Sequence, residues 1–61
     1  MDVYHLWEID EAGGRSCALQ VESTELREVW AYARTLLRNC MAVEVWRGSE
    51  FLQTVRSSTL H

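Results

Sequence analysis

A chain of 61 residues with nine acidic and six basic side chains, net charge −3, has room for one domain and lacks the basic excess that nucleic-acid binding over a whole surface requires. Two cysteines are too few for the disulfide framework of a small secreted scaffold, and the amino-terminal residues do not read as a signal peptide. No apolar run approaches the roughly 20 residues of a membrane span, so a cytoplasmic domain with reduced thiols is expected.

Val3 to Asp10 mixes Val, Tyr, Leu, Trp and Ile with polar residues, which is strand composition. Glu11-Ala12-Gly13-Gly14 reads as a hairpin turn whose glycines supply positive φ. Arg15 to Glu22 returns as a second strand, with Cys17, Leu19 and Val21 on one face and Ser16, Ala18, Gln20 and Glu22 on the other. Ser23 or Thr24 then caps a helix, with Glu25 and Glu28 near its positive end. The helix runs to about Asn39, read as a left-handed cap. Along it Leu26, Val29, Trp30, Ala33, Leu36, Leu37 and Cys40 share an arc of roughly 120°.

Ala42 to Arg47 and Glu50 to Arg56 read as a second hairpin around Gly48-Ser49. That register sets Arg47 against Glu50, Trp46 against Phe51, Val45 against Leu52 and Val43 against Thr54. Residues 57–61 read as a polar, frayed tail. The predicted fold is therefore α+β in the order ββαββ: a single domain over residues 1–56, with one helix packed on one face of a four-stranded, mainly antiparallel sheet.

One helix covers one sheet face, and a second face left to water should alternate apolar with polar residues. Here it does not. In the last hairpin Val43, Val45 and Leu52 suit the face under the helix, which leaves Trp46, Phe51, Val55 and Ala42 on the other, around a polar Glu44–Gln53 pair. A domain this small buries only about 60% of the surface its unfolded chain exposes. Covering Trp46 and Phe51, at about 25 cal/mol per Å², would add several kcal/mol, comparable with its whole stability. Self-association into a homodimer through Trp7, Trp46, Phe51 and Val55 is the expectation.

Arg27, Arg34 and Arg38 lie within about 40° of one another on the helical wheel, a candidate contact stripe for an acidic partner or nucleic acid and otherwise a solvated helix face. Cys17, Cys40, His5 and His61 are the candidate zinc ligands, but none sits in the close pairs that zinc sites in short proteins use. A Cys–His nucleophile pair fails on register, which sets His5 nearer Gln20 than Cys17. No catalytic residue, metal or cofactor is expected, and nucleic acid is a less natural partner than another protein.

The segment Val43-Glu44-Val45-Trp46-Arg47-Gly48 after an Ala/Leu/Arg-rich helix resembles the end of short, uncharacterised bacterial proteins in which a hairpin and helix precede a VEVWxG-like hairpin. The resemblance spans most of the chain; it implies a bacterial origin and no mechanism. Glu8 to Arg15, an acidic, glycine-containing turn leading toward a helix, is similar to the opening hairpin of the HicB-type antitoxin core. The 61 residues depart from that core in having no proline- and glycine-containing segment between hairpin and helix, and no appended DNA-binding domain is expected. The sequence thus leads first to a non-enzymatic homodimeric interaction module, and second to an antitoxin-like regulatory module that binds through the helix arginines.

Overall fold

Two hairpins and one helix account for residues 2–56, the part of the chain that the computed structural model describes. Strands β1 (Asp2–Ile9) and β2 (Arg15–Ser23) precede helix α1 (Leu26–Leu36), and β3 (Ala42–Arg47) and β4 (Glu50–Arg56) follow it. The four strands form one open sheet in the order β2-β1-β3-β4, with every neighbouring pair antiparallel. This is the expected α+β arrangement. The tail expected at 57–61, with His61, lies outside the described residues.

The first turn is built by Asp10. Its Oδ1 accepts the backbone N–H of Ala12 at 3.0 Å and of Gly14 at 2.8 Å, an Asx turn that fixes the reversal locally. Gly13 takes φ 87°, while a side chain on Gly14 would come within 2.9 Å of the Asp10 carboxylate. The two glycines therefore serve different needs, one conformational and one steric.

Between β2 and α1, the Ser23 hydroxyl accepts the Glu25 N–H at 3.0 Å and donates to the Glu28 carboxylate. This exchange resembles a capping box but starts the helix later than expected: the N-cap residue is Glu25, which makes no side-chain cap bond. At the other end the helix does not close on a left-handed Asn39. Among the described residues only Gly13 and Gly48 have positive φ. Instead the last turn tightens, with the N–H groups of Arg38 and Asn39 bonding the carbonyls of Thr35 and Leu36.

α1 lies across β2, β1 and β3. Its Val29 and Ala33, with Leu37 just beyond its end, meet Tyr4 and Leu6 of β1 and Val43 and Val45 of β3 in a buried core, edged by Leu19, Val21, Trp30, Leu36, Cys40, Leu52 and Val55. The even-numbered residues of β1 thus face the helix and the odd-numbered ones face away.

Two β-bulges correct the expected faces. The β1–β2 register shifts after the Leu6–Leu19 pair, and Trp7 is opposite Cys17, leaving Ala18 as the extra residue. Leu19 and Val21 stay under the helix, but Cys17 crosses to the open face. The β3–β4 register shifts between Val45 and Trp46, with Leu52 as the extra residue. Val43 therefore pairs with Val55 rather than Thr54, Val45 with Gln53, and Glu44 with Thr54 rather than Gln53. A bulge restores two-residue alternation on a new phase, so each residue beyond it exchanges faces.

Candidate functional site: the open sheet face

The face turned away from α1 centres on the two inner strands. His5 and Trp7 of β1 alternate outward, and register sets them beside Trp46 and Glu44 of β3. Phe51 of β4 is opposite Trp46, and their rings meet edge to face, with centroids 5.5 Å apart and planes at 66°. Arg15 reaches in from β2 with its guanidinium carbon 4.9 Å from the Trp7 ring centroid.

A polar tie holds these rings. Glu44 Oε1 accepts both Arg15 Nη1 at 3.1 Å and the Trp46 indole Nε1–H at 3.2 Å. One carboxylate oxygen, 29 residues along the chain from Arg15, thus links the cation lying on Trp7 to the edge of Trp46. Cation–π contacts of this kind are worth about 0.5–1 kcal/mol at exposed sites. The tie connects side chains of β2 and β3 across β1 on the open face. His5, Trp7, Arg15, Trp46, Gly48 and Ser49 line an open groove of about 340 Å³.

Of the residues expected to mediate self-association, Trp7, Trp46 and Phe51 share this face. The two indoles are half-buried, and Phe51 is 49% exposed. Val55 does not join them: the Leu52 bulge turns it under the helix, against the core. His5, Arg15, Glu44, Gly48 and Ser49 belong to the site but were not singled out for it. The Gly48-Ser49 turn was visible in the sequence as a turn. The Arg15–Glu44 bond was not, because it depends on β1 lying between β2 and β3.

The helix arginines are exposed. Arg27 bonds Glu25 at 3.2 Å, whereas Arg34 and Arg38 meet no carboxylate among the described residues. Arg47 and Glu50 form the expected turn pair at 2.8 Å, and that carboxylate holds the guanidinium further above its ordinary range. His5 is opposite Gln20, as expected. Both Cys17 and Cys40 are free thiols, Cys17 exposed and Cys40 half-buried at the end of α1. Among the described residues no three of His, Cys, Asp and Glu converge to hold a metal ion, and no helix is long and apolar enough to cross a membrane. No family model, curated protein or solved structure matches the chain.

Proposed function

We propose that the domain is a non-enzymatic interaction module of a bacterial cytoplasm that pairs with a second copy of itself through the open sheet face. The observation that carries this reading is an aromatic layer that, among the described residues, the helix leaves uncovered. Trp7, Trp46 and Phe51 sit on a sheet whose single helix lies on the other side.

Charge favours a copy over a foreign partner. By strand register the open face holds Glu22 and Glu44 against Arg15 and Arg56, a balance of zero. Of the nine acids and six bases in the chain, the remaining seven and four, which carry the whole net charge, lie on the helix, the turns and the covered face. A two-fold interface sets one patch against itself, so a patch of zero net charge avoids the repulsion that the rest of the surface would impose.

Sedimentation equilibrium over a concentration series, on reduced protein, is the test. A dimer is expected, and a monomer at tens of micromolar would reject the reading. Trp46→Glu should give a folded monomer by far-ultraviolet circular dichroism; an unchanged dimer would move the interface elsewhere.

A second reading, binding of an acidic partner or nucleic acid through the outer helix face, draws on Arg34 and Arg38, exposed and without a carboxylate partner among the described residues. It requires retention on heparin that falls steeply with salt and is lost in an Arg34→Ala, Arg38→Ala protein. Salt-independent retention would count against it.

A further inference from the structure

The open face carries a knob beside a hole. Among the described residues the exposed large apolar side chains are Leu26 and Tyr32 on the helix, Met41 before β3, and Phe51. Phe51 alone stands on the open face. Next to it, across Trp46, lies the open groove of about 340 Å³ lined by His5, Trp7, Arg15 and Trp46. Trp46 is therefore shared: it forms one wall of the groove and, 5.5 Å from the Phe51 ring, supports the knob.

We infer that two copies lock together by inserting Phe51 of each into the Trp7–His5–Trp46 groove of the other, about a two-fold axis that passes over Trp46. The inference rests on the self-association proposed above and specifies its geometry. In a two-fold interface, if residue i of one copy meets j of its partner, then j also meets i. A projection and a recess lying side by side on one face satisfy that condition when the axis runs between them, and Trp46 occupies that place. The contents match too. An aromatic ring entering the recess meets the Trp46 indole and the Arg15 guanidinium that lies over Trp7, and buried aromatic anchors in central pockets dominate the energetics of such interfaces. The Arg15–Glu44–Trp46 bonds hold the recess open before the partner arrives. Pairing through the outer strands β2 or β4 would leave knob and groove both in water, and the experiment separates the two modes.

The experiment uses Phe51→Ala, which removes the knob and leaves the groove, and His5→Trp, which fills the groove and leaves the knob. Tryptophan is a good strand residue, so β1 is retained. Sedimentation velocity on each protein should show a dimer weakened at least about thirtyfold, the scale of losing a buried aromatic anchor. An equimolar mixture should then pair more tightly than either variant alone. In the mixed dimer, Phe51 of the His5→Trp copy enters the open groove of the Phe51→Ala copy, while the filled groove faces no knob. Ser49→Trp, on the exposed turn, fills the same groove from its rim and must behave as His5→Trp does.

A wild-type dimer that Phe51→Ala does not weaken, or a mixture no tighter than its components, would reject groove insertion while self-association stands. A wild-type monomer would reject both.

Discussion

Cys40 and Cys17 give one side chain two different environments. The Cys40 sulfur lies 3.3 Å from the Leu36 carbonyl and 3.2 Å from that of Ala42. Burial, and then the nearby Glu8 carboxylate, push its pKa above the ordinary thiol range. Raising the pKa of an acid favours its neutral form, so at a given pH less thiolate is present and alkylation slows. Cys17 lies exposed beside Trp7. With iodoacetamide at neutral pH, Cys17 should be modified first and Cys40 at least about tenfold more slowly. The Cys40 rate should climb only above the ordinary thiol range, and the difference should vanish in denaturant. Peptide mass spectrometry reads both; equal rates in the folded protein would contradict the assignment. A second residue-scale prediction concerns Ser23, which is 4% exposed and bonded to both Glu25 and Glu28. Ser23→Ala should cost about 1–2 kcal/mol in urea unfolding, the scale of losing a buried hydroxyl's hydrogen bonds, with Ser23→Thr recovering most of it.

At the scale of elements, the turns are where a single residue decides the path. Gly13 at φ 87° tolerates no side chain without strain, so Gly13→Ala should destabilise the first hairpin by about 1 kcal/mol, measurable as a shifted urea midpoint with unchanged slope. The turns, the helix and the strand order along the chain were legible in the sequence because each is set by nearby residues: Asp10 with its glycines, the apolar arc from Leu26 to Cys40, Arg47 facing Glu50. The bulges were not. Neither Ala18 nor Leu52 is a glycine that would mark a bulge, and which residue is left unpaired depends on how both flanking strands fit the core. That one-residue phase is what sends Cys17 outward and Val55 inward. It also explains why the candidate site was legible as a set of aromatic rings, Trp7, Trp46 and Phe51, but not as the Arg15–Glu44 tie that holds them. Asn39 failed as a left-handed cap for a related reason: a tightened final turn bonds the free carbonyls just as well.

For the molecule as a whole, a fold two layers thick has little core to spare. Leu6, fully buried between sheet and helix, should on replacement by Ala lose about 2–5 kcal/mol, enough to unfold a domain this small. If pairing supplies part of the stability, Tm must rise with protein concentration, because association favours the folded state by mass action. Differential scanning calorimetry between about 5 and 500 µM should show that rise for the wild type and a flat response for Trp46→Glu; a flat wild type would mean the domain stands alone.

The division of the three tryptophans between two surfaces has an optical consequence. Trp30 packs against the core from the helix, while Trp7 and Trp46 lie on the opposite side of the sheet. Emission from a Trp7→Phe, Trp46→Phe protein would follow denaturation alone. A Trp30→Phe protein would change colour on simple dilution, while every strand was still in place. Loss of the fold and loss of the partner can then be recorded as separate spectra from a chain that needs no added dye.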